Sequence, residues 1–138
     1  MGGATLEEID EMVRFLNDHK AKFSVLHCII NYPARFEELN LKFIGTLIKR
    51  HCYPVGFSDH PLGVEASLAA ITLGATIIEK HFTTNRTLPG GDNELSVLPE
   101  EFKRLVREGN NIALALGEED KTLSIDEQKV KGLIRRVF

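Results

Sequence analysis

The feature that most constrains the fold of this chain is the alternation of helix-period segments with short, continuously apolar ones. Three apolar segments, residues 23–30, 54–58 and 75–82, have the length and composition of strands. Strands buried on both faces of a parallel sheet have this character. Serial βα units predict parallel strands joined by right-handed crossovers. The predicted fold class is therefore α/β, either part of a barrel or an open, doubly wound sheet.

Local signals define the ends of the predicted helices. Thr5 and Glu8 form a capping box ahead of an apolar face. Pro99 is suited to the first turn of a last long helix, and Gly117 to its end. Helices are predicted over residues 6–18, 41–48, 63–73 and 99–117. The charged residues 118–138 are predicted to be a linker or a short peripheral segment.

Composition excludes several classes of function. The chain has 138 residues, of which 43% are hydrophobic and 27% charged, as in a globular protein with one core. A net charge of −3 gives no basic surface for nucleic acid or anionic membrane, and no apolar run is long enough to span a bilayer. Cys28 and Cys52 form no disulfide framework. We therefore expect a cytoplasmic protein with a small-molecule partner.

Polar side chains end the second and third predicted strands. They are Ser58, Asp59 and His60, and Glu79, Lys80 and His81. The carboxyl ends of parallel strands meet at the edge where α/β proteins carry their sites. Neighbouring strands lie about 4.8 Å apart. His60 and His81 are one helix-plus-strand repeat apart and are thus able to face a single ion.

Two interpretations of these histidines follow from the pattern. With Glu79 or Asp59 holding a metal-bound water, the two histidines leave coordination positions open for substrate, as in a catalytic metal site. Alternatively, each histidine caps a strand end and bonds to backbone. His27, inside the first strand, is predicted to be a hydrogen-bonded core residue. Residues 87–92 fit an ordinary turn containing proline and glycine.

Several linked motifs closely resemble the N-acetylneuraminate (sialic acid) synthase family, and they cover almost the whole chain in order. The resemblance implies that residues 1–117 are the C-terminal portion of a (β/α)₈ TIM barrel whose first strands precede Met1. It implies that residues 118–138 lead toward a C-terminal antifreeze-like domain. The motifs are Leu26-His27-Cys28 with Tyr32-Pro33, Val55-Gly56-Phe57-Ser58-Asp59-His60, Ile78-Glu79-Lys80-His81-Phe82-Thr83, and Leu88-Pro89-Gly90 with Asp92.

The resemblance also implies an activity. Enzymes of this family condense phosphoenolpyruvate with an N-acetylmannosamine-type sugar to give a nonulosonic acid and phosphate. A divalent ion is implied, Mn²⁺ first and Mg²⁺ or Co²⁺ as alternatives, which polarises the open-chain aldehyde of the sugar. The expected partners are thus phosphoenolpyruvate, an N-acetyl amino sugar and, because exposed barrel edges favour self-association, further copies of the chain.

Matching to the family assigns roles to individual residues. One departure concerns Ile30, which stands where the family commonly has Ser or Asn. The neighbouring Asn31 is therefore the candidate for that substrate contact. The remaining assignments are His60 and His81 for the metal, Ser58 for phosphoenolpyruvate, Tyr32 and Asp92 for the sugar, and Glu79 for a metal-bound water. The pattern at the strand ends places Asp59 beside Glu79 as the second candidate catalytic carboxylate.

Two alternatives to a sialic acid synthase remain open from the sequence. The first is another metal-dependent, phosphoenolpyruvate-using aldol-type synthase, such as one that makes Kdo-8-phosphate. The second is a non-catalytic binding or assembly module derived from the barrel, which Ile30 favours. The chain is expected to be inactive alone in either synthase case.

Overall fold

The structure is a computed structural model that describes residues 1–134. Its three strands form one parallel sheet in the order β1-β2-β3. The elements along the chain are α1 (Leu6–Asp18), β1 (Val25–Cys28), α2 (Phe43–Arg50), β2 (Val55–Asp59), α3 (Glu65–Thr72), β3 (Ile77–Lys80), α4 (Pro99–Leu116) and α5 (Ile125–Ile134), with 3₁₀ turns at Phe36–Glu38 and Asn93–Leu95.

Helix α1 begins and ends where the sequence predicts. The Thr5 side chain accepts a hydrogen bond from the Glu8 backbone N–H, and the Glu8 carboxylate accepts one from the Thr5 N–H at 2.7 Å. This reciprocal pair satisfies two backbone donors that have no partner within the helix. The predicted capping box is therefore confirmed.

Strands β1 and β3 are shorter than predicted and lie within their predicted segments, whereas β2 has the predicted length and begins one residue later. Hydrogen-bonded pairing of β1 covers Val25–Cys28, whereas the apolar segment runs over residues 23–30. Phe23 and Ile29 pack against the core without belonging to the paired strand. Apolarity thus reports burial, while strand bounds depend on which backbone groups find a partner.

The helices cover one face of the sheet. Val25 of β1 and Val55 and Phe57 of β2 point into a single core cluster. That cluster also contains Ile9 and Val13 of α1, Ile44 and Leu47 of α2, and Ala66 and Ala70 of α3. A doubly wound sheet carries helices on both faces, whereas barrel strands carry them only outside. The one-sided core therefore favours the barrel alternative.

On the opposite face of the sheet, β2 carries the small residues Gly56 and Ser58, and the neighbouring strands carry both apolar and polar side chains. Gly56 lies there between its neighbours, and a Cβ atom added to it would be 2.6 Å from the carbonyl oxygen of Ile77. Ile77 is 37% exposed. This open face corresponds to the interior of the predicted barrel.

The end of the chain contributes little to the core. All residues of α5 are exposed. The division into residues 1–117 and 118–138 stays a prediction, and its last four residues lie outside those the structure describes. Among the described helices, none combines the length and apolarity needed to cross a membrane.

Candidate functional site

The two histidines that follow β2 and β3 lie side by side. Asp59 is paired with Lys80 across the parallel strands, so that His60 and His81 leave the sheet at the same edge. Their ring centroids are 5.4 Å apart and the rings are inclined at 69°. The structure thus brings together the two side chains that the spacing suggested.

One nitrogen of His60 is fixed by the backbone that follows β1. Nδ1 lies 2.7 Å from the carbonyl oxygen of Ile29. Because a carbonyl only accepts hydrogen bonds, Nδ1 carries the proton and Nε2 of the neutral ring keeps its lone pair. Metal-binding histidines are commonly oriented in this way by a bond from the other ring nitrogen.

Ser58 and Glu79 lie beside Nε2 of His60. The Ser58 hydroxyl donates to Oε1 of Glu79 at 2.5 Å and lies 3.2 Å from Nε2 of His60. Since a hydroxyl has one proton and the shorter contact takes it, Nε2 receives no proton from Ser58. Ser58 is 6% exposed, whereas Glu79 is open to solvent.

The loop after β3 supplies a carboxylate to His81. Oδ2 of Asp92 lies 3.5 Å from Nδ1 of His81, and the two side chains are 44% and 33% exposed. The loop is tied to α4 through Arg86, which donates to the carbonyl of Ser96 at 2.9 Å and to the Glu101 carboxylate at 2.6 Å.

Tyr32 covers the two histidines from the loop after β1. Its ring stacks on His60 with a centroid distance of 4.2 Å and meets His81 edge-on at 5.6 Å. Partial burial raises the pKa of Tyr32, and the neighbouring Cys28, Asp92 and Glu79 act in the same direction. The phenol therefore remains a neutral hydrogen-bond donor at the mouth of the site.

Asn31 does not join this group. Its side-chain amide donates to Oε2 of Glu38 at 3.3 Å, away from the histidines. The neighbouring Ile30 is 59% exposed. Substrate binding by Asn31 stays a prediction, and in this structure its amide serves the 3₁₀ turn instead.

Asp59 lies on the other face of the sheet from His60. It is 1% exposed, 3.2 Å from the Lys80 ammonium and hydrogen-bonded by the Ser67 hydroxyl of α3. Burial raises the pKa of Asp59, while Ser67 and Lys80 act in the opposite direction. The structure therefore separates Asp59 from Glu79, and its placement favours a structural role over the predicted catalytic one.

Sequence reasoning missed Lys80 and Ser67 as partners of Asp59, although a signal was available. Side chains alternate between the two faces of a strand, so that Ser58 and His60 share a face that Asp59 cannot share. His27 is as predicted. It is 7% exposed and Nε2 donates to the carbonyl of Leu39 at 2.7 Å.

The donor set suits an ion with open coordination positions. Within residues 1–134, no three or more His, Cys, Asp or Glu side chains are grouped so as to enclose a metal. Two imidazoles with an available Nε2 on His60 nevertheless fit a divalent transition metal that takes its other ligands from water and substrate. The residues present thus fit a catalytic site rather than a closed structural one.

Comparison with known proteins gives consistent matches. The sequence pattern of the NeuB family matches residues 1–121. The chain is 41% identical over 138 residues to N,N'-diacetyllegionaminic acid synthase of Campylobacter jejuni. This alignment covers 98% of the chain and 41% of that relative. It is 35% identical to human N-acetylneuraminate-9-phosphate synthase, and this alignment covers 96% of the chain and 38% of that relative. The chain therefore spans about two fifths of the length of these relatives.

A solved structure agrees with the fold. The crystal structure of N-acetylneuraminic acid (sialic acid) synthetase from Leptospira borgpetersenii, in complex with citrate, superposes with a TM-score of 0.88 and 39% sequence identity. The match covers 96% of this chain and 46% of that one. The predicted partial barrel is thereby confirmed, and so is the predicted resemblance to the sialic acid synthase family.

Proposed function

Because the chain belongs to the NeuB family of sialic acid synthase-like proteins, we propose that it forms the metal-binding part of a nonulosonic acid synthase active site. The reaction proposed is the condensation of phosphoenolpyruvate with an N-acetylmannosamine-type sugar. The observation that carries this proposal is that His60 and His81 lie at one sheet edge with their ring centroids 5.4 Å apart. The Ser58 hydroxyl lies beside His60 and donates to Glu79.

His60 and His81 are the proposed ligands of a divalent ion, for which we favour Mn²⁺, with Mg²⁺ or Co²⁺ as alternatives. When bound, such an ion supplies Lewis-acid polarisation of a sugar carbonyl. Support comes from the lone pair on Nε2 of His60, which is left available by the bond from Nδ1 to the Ile29 carbonyl. His81 is 33% exposed at its side chain and accessible from the open face.

The other side chains bind and orient the reactants. The Ser58 hydroxyl is suited to donate to the carboxylate or phosphate of phosphoenolpyruvate in place of Glu79. Glu79, open to solvent, is suited to accept a proton from water. Tyr32 and Asp92 flank the histidines and offer a donor and an acceptor to sugar hydroxyl groups.

The chain spans 41% of the Campylobacter relative, so that the proposed activity is that of a complete barrel to which this chain contributes. We propose that further phosphate contacts come from other βα units and that the protein is a cytoplasmic homo-oligomer. An apolar groove of about 530 Å³ between β3, α3 and α4, lined by Ile71, Phe102 and Val106, supports association. Both cysteines are free, which suits a reducing compartment.

Calorimetric titration of Mn²⁺ tests the metal assignment. We expect one site in the chain, loss of binding in His60→Ala and His81→Ala, and retention in His19→Ala, whose histidine is exposed at the end of α1. Equal binding by all four proteins, or no binding by the folded chain, would contradict the assignment.

A chimera tests the reaction. The chain replaces its matching segment in the Campylobacter synthase, and phosphate release from phosphoenolpyruvate is measured with and without an N-acetyl amino sugar. Sugar-dependent release that His81→Ala abolishes in the same chimera is expected. A folded chimera that binds Mn²⁺ and releases no phosphate with any of the N-acetyl amino sugars tested would favour the non-catalytic alternative.

A further inference from the structure

A buried ion pair lies directly behind the two histidines. Asp59 and Lys80 precede His60 and His81, are paired in register, and have side chains that are each 1% exposed. Alternation along a strand turns them to the helix-covered face, opposite the histidines. Lys80 was not among the site residues that the sequence predicted, whereas Asp59 was predicted there as a catalytic carboxylate.

The Lys80 ammonium holds the backbone on both sides of His60. Nζ donates to the carbonyl oxygen of Pro61 at 2.8 Å and lies 3.5 Å from that of Asp59. Its third contact is Oδ2 of Asp59 at 3.2 Å. The three N–H groups of one ammonium therefore reach acceptors that all belong to the two residues flanking His60.

Stability alone is a weak explanation for this arrangement. Desolvation of two charges offsets much of their attraction, and an apolar pair of similar volume is often equally stable. An apolar pair, however, offers nothing to the carbonyl groups of Asp59 and Pro61. The contacts that need an ammonium are those that fix the peptide units on either side of His60.

We infer that Lys80 is a positioning residue, which fixes the backbone at His60 so that Nδ1 meets the Ile29 carbonyl and Nε2 lies beside the Ser58 hydroxyl. This inference rests on the proposed function in one respect only, which is that Nε2 of His60 is taken to be a metal ligand. Three strands take part: Ile29 follows β1, His60 follows β2, and Lys80 ends β3.

The direct test is made on the metal-free chain. Imidazole nitrogen NMR reports which nitrogen of His60 carries the proton and how fast that proton exchanges. Asp59→Leu with Lys80→Met removes both charges together and leaves no unpaired buried ion. We expect faster exchange at His60 Nδ1 and a tautomer that is no longer fixed.

Two controls separate positioning from general destabilisation. Ser67→Ala removes a hydrogen bond to Asp59 but leaves the contacts of Lys80 with the carbonyl groups; it should lower stability and leave the His60 signals unchanged. Glu100→Leu with Lys103→Met removes a surface ion pair whose side chains are 86% and 78% exposed, respectively. This change should alter neither the stability nor the His60 signals. Urea unfolding verifies that each variant is folded.

A second variant, Lys80→Arg, tests the same inference if the double variant does not fold. Lys80→Arg keeps a positive charge beside Asp59, but a planar guanidinium presents its donors in a fork that differs from an ammonium. In Lys80→Arg the tautomer of His60 should also be less fixed, but the change should be smaller than in the double variant. Unchanged His60 signals in a folded variant that lacks the Lys80 ammonium would overturn the inference.

Mn²⁺ titration then separates the inference from the proposed function. If the unmodified chain binds Mn²⁺, the double variant should bind about 10- to 100-fold more weakly, the range found for groups that orient metal ligands. Equal affinity in both would overturn the positioning role. Absence of binding in the unmodified chain would instead contradict the metal assignment, while the NMR result still decides the role of Lys80.

Discussion

Oδ2 of Asp92 lies 3.5 Å from Nδ1 of His81, so that the loop after β3 offers a partner to one ring nitrogen of His81. His60 has an equivalent partner in the Ile29 carbonyl, at 2.7 Å from its Nδ1. The two histidines thus have different partners, a partly exposed carboxylate for His81 and a backbone carbonyl for His60. The consequences of this difference are measurable.

Asp92→Asn should weaken Mn²⁺ binding by about 10- to 100-fold, because the amide no longer attracts the Nδ1 proton of His81 as a carboxylate does. Stability should hardly change, since both side chains are a third or more exposed. Calorimetric titration and urea unfolding give the two quantities. Glu94→Gln, an exposed carboxylate of the same loop, is the matched control, and equal affinity for Asp92→Asn and this control would contradict the role.

Gly56→Ala should destabilise the sheet by about 1–3 kcal/mol, the usual cost of overpacking. The added Cβ would lie 2.6 Å from the carbonyl oxygen of Ile77, so that β3 must shift away from β2. Gly45→Ala is the control, since no atom lies within 4 Å of its Cβ. In helix α2 that change should stabilise by about 0.5–1 kcal/mol. Urea midpoints that move in the same direction for both variants would refute the prediction.

Stability should decrease as the pH falls through the titration of His27. Burial lowers the pKa of His27 below the ordinary value of 6.5, and the hydrogen bond to Leu39 offsets part of this effect. The unfolded chain therefore binds the proton first, so that this contribution to stability is complete above pH 6.5 and is lost as the pH falls through the folded-state pKa.

His27→Gln keeps a donor for the Leu39 carbonyl and removes the titration. Its free energy of unfolding should vary less with pH below 6.5 than that of the unmodified chain. If His27→Gln has the same profile as the unmodified chain, another group causes the pH dependence.

Arg86→Met should loosen the loop that carries Asp92. Arg86 joins the Ser96 carbonyl and the Glu101 carboxylate, which links this loop to α4. Global stability should change by less than about 1 kcal/mol, because the ion pair is about one third exposed. Hydrogen exchange of backbone amides in residues 87–96 should become faster than in Arg107→Met, whose arginine contacts only exposed surface near Glu108. Equal protection in both would disprove the link.

The sequence by itself determined the order of the elements and the neighbourhood of the two histidines. The Thr5 capping box and the apolar face of α1 are local, and they predicted Leu6–Asp18 without error. The repeat of helix and strand, together with parallel pairing, was sufficient to bring His60 and His81 to one edge. Both results follow from periodicity and hydrogen bonding within a few residues or between adjacent strands.

Only the tertiary structure decided which polar groups act together. Ser58 turns to Glu79, Asp59 to Lys80 and Ser67, and Asn31 to Glu38. The sequence cannot assign these pairs, because alternation along a strand separates the two faces but does not say which residues of other elements a side chain meets there. The pairing is set by where folded elements bring donors within about 3 Å of acceptors, and Ile29 and Lys80 approach His60 from separate strands across 20 or more residues.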